Sequence, residues 1–478
     1  MTNEFSPSRR TVMAGAGALA VAGCATRPFA NGPSSMETPV QNPLVLQRAD
    51  AQISRHEGGV YYMSASVPEY DRLIIRRSPT LAGFATAEER VVWRRPTQGK
   101  MGGHIWAPEV HQIDGRWYMY FAAGDAGERF RIRTYVLQCK GPDPMVDDWE
   151  VLGQMQVPWD TFNLDSTIFT HKGVRYFLWA QSEPTIRTNS NLYMAPLATP
   201  TTLASAPVCL SVPELPWEIQ GFKVNEGAAV LARNGRLFMT YSASATDARY
   251  CLGMLTADAD ADIMDPKSWT KSQEPVFVTN EATGVYGPGH NSFTVDEQGR
   301  DVIVYHGRDY REITGDPLYD PNRHTRVQRI YYRADGAPDF GVPVGNGEVP
   351  DRFSPADRPS AFLRHQGGTV AVGDGDLATS QFRQKPGLAG DGTVSFEPIL
   401  ERGKVLRRTG DGRVVSAREE NPAFAQEASF RRVAGLSGQG VSFEAVGAPG
   451  TYLRHTAGQV SVGPVARDER QVASFVVT

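Results

Sequence analysis

A glycine followed by an aromatic, strand-like run recurs five times in this chain, and that periodicity constrains the fold more than any other feature. The runs begin at Gly59 (Gly-Val-Tyr-Tyr-Met-Ser), Gly115 (Gly-Arg-Trp-Tyr-Met-Tyr), Gly173 (Gly-Val-Arg-Tyr-Phe-Leu-Trp), Gly235 (Gly-Arg-Leu-Phe-Met-Thr-Tyr) and Gly299 (Gly-Arg-Asp-Val-Ile-Val-Tyr), at spacings of 56, 58, 62 and 64 residues. Glycine tolerates the positive φ that tight hairpins demand, so each is expected at a turn between two antiparallel strands. Five units, each long enough for four short strands, predict a five-bladed β-propeller over residues 42–349. The 47 glycines and 33 prolines, with runs such as Trp117-Tyr118-Met119-Tyr120-Phe121, agree with an all-β chain.

A second, threefold periodicity follows a Pro-rich stretch, residues 350–359, that reads as a linker. Leu363-Arg364-His365, Leu406-Arg407-Arg408 and Leu453-Arg454-His455 recur at 43 and 47 residues, with Phe382, Phe430 and Phe475 closing Ser-Gln-Phe, Ala-Ser-Phe and Ala-Ser-Phe. Three such units in so short a stretch predict a β-trefoil over residues 360–478. At 478 residues the chain is long enough for two folded units and a leader.

The leader is read from Ser8-Arg9-Arg10-Thr11-Val12-Met13, which sets paired arginines ahead of a short Gly/Ala-rich apolar run. Residues 1–24 resemble a twin-arginine export signal, and residues 25–41 are expected to be a tether. Leu19-Ala20-Val21-Ala22-Gly23-Cys24 resembles a bacterial lipoprotein box, in which Cys24 carries lipid; the alternative is a cleaved signal that happens to contain a cysteine. Either way the destination is outside the cytoplasm: periplasm, outer-membrane surface or medium. The apolar run falls short of the roughly 20 residues that span a bilayer, so contact with a membrane is expected only through a lipid anchor. Cys139, Cys209 and Cys251 remain, an odd number without CxxC spacing, which argues against a disulfide framework or zinc site. A net charge of −4 excludes the basic surplus of a nucleic-acid binder, and a monomer is expected.

About nine residues before each hairpin glycine, on the first strand of each hairpin, stand Asp50, the Trp106-Ala107 pair, Asp165, Glu226 and His290. Innermost strands line a propeller's axis, so these residues are expected to converge on one funnel. A single aspartate at a strand end is commonly a turn or cap residue; it is the shared place in five repeats that singles these out. Acetal cleavage with inversion needs one carboxylic acid to protonate the leaving oxygen and one carboxylate to activate water on the opposite face, roughly 6.5 to 9.5 Å away. Asp50 and Glu226, on non-adjacent repeats, can supply that pair. Asp165 beside Glu226 can raise its pKa by like charge. Spacing alone does not say which carboxyl is acid and which is base. Trp106 serves either as an aromatic wall of a sugar pocket or as core. His290 is either a hydrogen-bonded core histidine or a water-mediated holder of a central cation. Arg308 either hydrogen-bonds a sugar hydroxyl or forms a surface ion pair.

From about Pro43 to Pro343 the chain resembles family 43 of the glycoside hydrolases, the inverting five-bladed propellers that include α-L-arabinofuranosidases, arabinanases and β-xylosidases. The resemblance rests on Ala49-Asp50-Ala51-Gln52-Ile53, His104-Ile105-Trp106-Ala107-Pro108-Glu109, Leu164-Asp165-Ser166-Thr167, Val224-Asn225-Glu226-Gly227, Gly287-Pro288-Gly289-His290-Asn291-Ser292 and Tyr305-His306-Gly307-Arg308. It implies that Asp50 is the general base, Asp165 the modulator, Glu226 the general acid, His290 the histidine near a calcium or sodium ion in the propeller centre, and Arg308 a substrate-binding arginine; no organic cofactor is implied. Asp50-Ala51 departs from the family's frequent Asp-Pro. The C-terminal unit resembles the arabinofuranose-binding AbfB domain, carbohydrate-binding module family 42. Thr379, Glu427 and Val472 stand where that family often has an acidic residue, and Arg408 where it has histidine. Together the two resemblances imply release of L-arabinofuranose from the non-reducing ends of α-1,5-arabinan or arabinosylated xylan. The partner implied is an arabinose-containing poly- or oligosaccharide. A β-xylosidase, an endo-arabinanase and a non-catalytic arabinan-binding lipoprotein are the alternatives.

Overall fold

In the computed structural model the described residues are 39–478; the export signal, Cys24 and most of the tether lie outside them. Five separate antiparallel sheets follow one another along the chain, the blades of a propeller. Their innermost strands are Ala49–Arg55, Ile105–Ile113, Asn163–His171, Asn225–Arg233 and Tyr286–Val295. Each pairs with a second strand, Tyr61–Ser66, Arg116–Ala123, Val174–Gln181, Arg236–Ala243 and Asp301–Arg308, through a hairpin turn. The repeated glycines sit in those turns with φ between 71° and 79°, the left-handed region that side chains disfavour.

Alternating side chains leave the two faces of a blade pointing at different neighbours, and the apolar residues divide accordingly. Trp117, Met119 and Phe121 of the second blade pack with Leu73 and Ile75 of the first, while Tyr118 and Tyr120 pack with Phe177 and Trp179 of the third. The same division places one core between each successive pair of blades and one between the fifth and the first. The ring closes through the start of the described chain. Gln41–Asn42 pairs with Gly347–Glu348, the Asn42 side chain bonds both backbone groups of Val327 at 2.8 and 2.9 Å, and the Leu44 amide donates to Thr325 O at 2.8 Å. Residues 40 and 41, expected in the tether, therefore belong to the closure.

The C-terminal region is also built of strands, and its three repeats are visible as three hairpins: Phe362–Gln366 with Thr369–Gly373, Val405–Arg408 with Val414–Ala417, and Tyr452–Thr456 with Gln459–Gly463. They meet through the bridges Thr369 to Val415, Ala371 to Gln459 and Arg413 to Ser461, consistent with the expected trefoil. The core below them is phenylalanine: Phe353, Phe382, Phe396, Phe430, Phe443 and Phe475 are all buried. Phe353 corrects the expected linker. Within 350–359, Phe353–Pro355 is a strand paired with Phe475–Val477, which joins the domain's first strand to its last described one. The domain thus begins near residue 351, against the propeller. The Arg329–Asp351 ion pair, the Tyr331 hydroxyl donating to Thr478 O at 2.9 Å, and Arg383 donating to Glu348 O at 3.0 Å and Gly345 O at 2.8 Å join the two.

Phe353 stands edge-on to Phe396 and Phe443, with ring centroids 5.3 and 5.8 Å away. Phe353→Ala is expected to destabilise the C-terminal domain by about 3–5 kcal/mol, the usual range for deleting a buried aromatic ring. Denaturant titration should show it; a loss below about 1 kcal/mol would return residues 350–359 to the status of a linker.

Candidate active site

The inner strands do not run straight to the axis. In every blade their register against the second strand slips at the funnel end, between Ala49 and Gln52, Trp106 and Glu109, Leu164 and Thr167, Glu226 and Ala229, and Gly289 and Ser292. Within each slip one residue adopts a left-handed backbone: Asp50 (φ 54°), Ala107 (44°), Asp165 (52°), Gly227 (56°) and His290 (41°). Such a bulge bends the strand and re-aims its side chains. Asp50, Asp165 and His290 share the left-handed position, whereas Trp106 and Glu226 come one residue before it. The single register expected for all five is thus two adjacent ones. At Gly227 a Cβ would lie 3.0 Å from the His290 ring, so a side chain there would require that ring to shift by a few tenths of an ångström.

Asp50, Asp165 and His290 meet at the funnel floor. His290 Nδ1 lies 3.5 Å from Asp50 Oδ1 and 3.5 Å from Asp165 Oδ2. Asp50 also accepts from Ser66 Oγ at 2.6 Å, and its Oδ1 is 3.5 Å from Arg323 Nη1 and 3.1 Å from His306 Nδ1. Burial by itself would raise the Asp50 pKa; the Arg323 guanidinium, with His290 and His306, overrides that and holds the carboxyl well below the usual range. Glu226 keeps part of its surface open to the funnel, and its Oε1 accepts from the Tyr250 hydroxyl at 3.0 Å. Desolvation pushes Glu226 up to about 7, against the Tyr250 hydrogen bond and with help from the Asp50 charge. Asp165 is raised well above the ordinary aspartate value, first by burial and then by the charges of Glu226, Asp50 and Glu109. Asp165 and Glu226 titrate as a pair, and the pair retains a proton at neutral pH that exposed carboxyls would have lost. Burial drives His306 down to about 4, so its ring is neutral there, and Tyr250 stacks on it at 5.6 Å.

Trp106 is buried and stacks on His104 at 4.8 Å, with Tyr70 edge-on at 5.8 Å. Its indole N–H is buried without a protein hydrogen-bond partner. Arg308 departs from both readings of its sequence position. It is 1% exposed, and its terminal nitrogens bond Asp320 Oδ1 at 3.0 Å, Thr246 O at 2.8 Å and Pro317 O at 2.9 Å, so it is neither at the surface nor free for a sugar. It braces segment 309–323, which the Tyr70 hydroxyl also holds by donating to Leu318 O. The arginine that faces the carboxylates is Arg323, whose Nη2 donates to Tyr70 Oη at 2.6 Å. Arg323, Tyr250, Tyr70 and His306 were not singled out by the repeats, since none lies on an inner strand. A usable signal existed only for His306, directly across the second strand from Gly289.

A calcium or sodium ion at His290 fits the side chains poorly. Such cations take six or more oxygen ligands, and among the described residues no group of three or more His, Cys, Asp or Glu is arranged to hold a metal. His290 would bring one imidazole nitrogen and leave the rest to water, so no chemical step is routed through an ion. Cys139, Cys209 and Cys251 are free.

Comparison with known proteins places this geometry. The family model for glycosyl hydrolases family 43 matches residues 40–338, and that for the alpha-L-arabinofuranosidase B (ABFB) domain matches residues 351–477. An extracellular exo-alpha-(1->5)-L-arabinofuranosidase of Streptomyces avermitilis is 48% identical over 423 residues, 88% of each chain. The alpha-L-arabinofuranosidase 43 of Humicola insolens is also 48% identical, over 91% of this chain and 94% of its own. The crystal structure of an alpha-L-arabinofuranosidase from Lactobacillus brevis, 52% identical, superposes with a TM-score of 0.62 over 64% of this chain and 97% of that one. The chain belongs to family 43 of the glycosyl hydrolases and is a glycosidase with an ABFB domain after its propeller.

Proposed function

We propose that this protein is an exported, inverting exo-α-L-arabinofuranosidase, with Asp50 as general base, Glu226 as general acid and Asp165 as the neighbour that keeps the acid's pKa high. The observation that carries the reading is the split between carboxyls in one funnel: Asp50 is held ionised by Arg323, His290 and His306, while the Asp165–Glu226 pair keeps a proton. That proton is assigned to Glu226, because Asp165 Oδ2 already faces His290 Nδ1. In the reaction Asp50 takes a proton from a water that attacks the anomeric carbon. The glycosidic bond breaks toward the leaving oxygen, and Glu226 protonates that oxygen, giving β-configured arabinose from an α-linked substrate. Arg323 stays cationic throughout and steadies Asp50.

The extracellular arabinofuranosidases among its relatives support arabinose as the sugar. Segment 309–323 supports attack at chain ends. Pinned by Arg308 and Tyr70, with Tyr319 Oη 3.2 Å from His104 Nε2, it walls one side of the funnel that a groove for chain interiors would leave open. Trp106 is the aromatic wall of the sugar pocket. The C-terminal domain is proposed to hold the arabinose-containing polymer, export to follow the twin-arginine route, and Cys24 to carry lipid.

Linear 1,5-arabinan followed by NMR should show β-arabinose first, one residue at a time; α-arabinose first, internal cleavage or no turnover would each overturn part of this reading. Glu226→Gln should lower the rate on polymer by about 10²- to 10⁴-fold, the usual worth of general acid catalysis. The pH profile of kcat/KM should fall on its alkaline side near 7, where the pair containing Glu226 loses its proton. On the acid side activity is lost as pH drops through the depressed Asp50 pKa, so Arg323→Met, which removes the cation, should move that limb to higher pH. An unmoved acid limb would separate Arg323 from the base.

A further inference from the structure

An antiparallel blade brings alternate connections to the same end of the propeller. The inner strand starts at the funnel, the hairpin turns the chain around at the far end, and the second strand returns it, so the loop after the second strand and the connection after the fourth both lie at the funnel mouth. In the second blade these are residues 124–132, which follow Arg116–Ala123, and residues 155–162, which follow Trp149–Gln154 and lead into the inner strand that carries Asp165. Between them opens a cleft of about 360 Å³ whose lining includes Lys100, Arg131, Gln154, Gln156, Trp159 and Asp160.

The walls of the cleft are fixed, while some of the groups that face it are free. Asp160 accepts from the buried Arg133 Nε at 2.6 Å and from Arg131 Nη2 at 2.9 Å, and Arg131 Nη1 donates to Asp125 at 2.7 Å. The Met155 and Gln156 amides donate to Thr134 O and Thr201 O, both at 2.9 Å, and the buried Gln181 side chain donates to Trp159 O at 2.8 Å. That leaves the side-chain amides of Gln154 and Gln156 and the indole N–H of Trp159, none of which has a hydrogen-bond partner among the described residues. Gln156 is exposed, and Gln154 and Trp159 are half-buried, so all three can be reached. An indole face beside uncharged donors and acceptors suits a neutral ligand rich in hydroxyls. The cleft meets the funnel at Phe130, the residue before Arg131. A single exposed aromatic ring needs no explanation by itself; this one is 56% exposed and stands 6.1 Å from Trp106 and 5.1 Å from His104, at the funnel wall. Its loop is pinned to the strand behind that wall by the Gly124 N–H, which donates to His104 O at 2.9 Å.

We propose that this cleft binds the leaving part of the substrate: an arabinose chain whose terminal unit sits against Trp106 runs outward over Phe130, and the units beyond the first leaving one lie against Trp159, Gln154 and Gln156. The proposal rests on the release of arabinose from chain ends and adds to it a preference for longer chains. Segment 309–323 walls the funnel at Tyr319, 5.8 Å from the His104 ring, and Phe130 leans on the same ring. From there the Phe130 loop continues through Arg131 into the cleft, which gives the leaving chain a preformed path. Because its walls are held by ion pairs and backbone hydrogen bonds, little ordering is required when the chain binds.

The test is kcat/KM of the full-length protein on α-1,5-linked arabinobiose, arabinotriose, arabinotetraose and arabinopentaose. In the unaltered protein it should rise by about 3- to 10-fold from arabinobiose to arabinotetraose, the worth of one or two neutral hydrogen bonds. Trp159→Ala and Gln154→Ala should each flatten that rise while leaving arabinobiose within about twofold, since the disaccharide ends before the cleft. A change that merely loosened the blade would lower arabinobiose as well. No rise with length in the unaltered protein, a rise that survives both variants, or equal losses on arabinobiose and arabinotetraose would overturn the cleft as a chain-binding site. An unaltered protein that releases no arabinose from any of the four would instead overturn the proposed function. The Trp159 ring packs edge-on to Tyr193 at 5.4 Å, so should Trp159→Ala fail to fold, Gln154→Ala decides.

Discussion

Three carboxyl groups crowd the floor of one funnel, and a medium that solvates charge poorly will not let all three ionise alike. Everything else at the site follows from where the compensating groups stand. Arg323, His290 and His306 all face Asp50, while Glu226 is met by a neutral phenol, so one carboxyl is pinned as an anion and the other is left carrying the cost of desolvation. Had Arg323 stood beside Glu226 instead, Glu226 would be the pinned anion and could not protonate a leaving group. The asymmetry comes from position around the ring: Arg323 and His306 belong to the fifth blade, which abuts the first blade and Asp50 because the ring is closed.

That closure and the bulges are therefore part of the chemistry. A regular strand would send alternate side chains into the two inter-blade cores; the extra residue at each bulge frees one position from that alternation and turns it toward the axis. The cost is a left-handed backbone at four non-glycine residues, two of them aspartates, which tolerate it better than most. Where the neighbouring ring comes close, as His290 does at position 227, glycine avoids displacing it. The strain persists because the flanking strands are locked by apolar cores on both faces.

These features differ in how far they could be read from the chain alone. Glycines at hairpin turns and aromatic runs at constant spacing are local signals with a backbone cause, and they made the blades and inner-strand carboxyls legible. Arg323 and Tyr250 enter the funnel from the starts of outer strands, where the blades do not repeat, so no periodicity marks them. Arg308 looked like a sugar ligand because it follows the fifth hairpin at the right place, and nothing in sequence shows that Asp320 and two carbonyls already hold it. The boundary near 351 was hidden for a related reason. Prolines at 350, 355 and 359 are as compatible with an edge strand as with a linker, and only pairing with Phe475–Val477 distinguishes the two.

That boundary bears on how the second domain serves the first. Glu348 closes the propeller by pairing with Gln41, Asp351 forms an ion pair with Arg329 of the fifth blade, and Phe353 is already in the C-terminal core. Four residues lie between ring closure and the second core, too few to act as a flexible tether. Arg383 then reaches back to two carbonyls of the segment that closes the ring, so moving the domain would expose unpaired backbone acceptors as well as a buried guanidinium. On the proposed function, a polymer held by the C-terminal domain is presented at a fixed distance and angle from the funnel. The gain is then not the raised local concentration that a loose tether gives but selection among chain ends by geometry, which favours polymers whose free ends lie one fixed span from the bound segment.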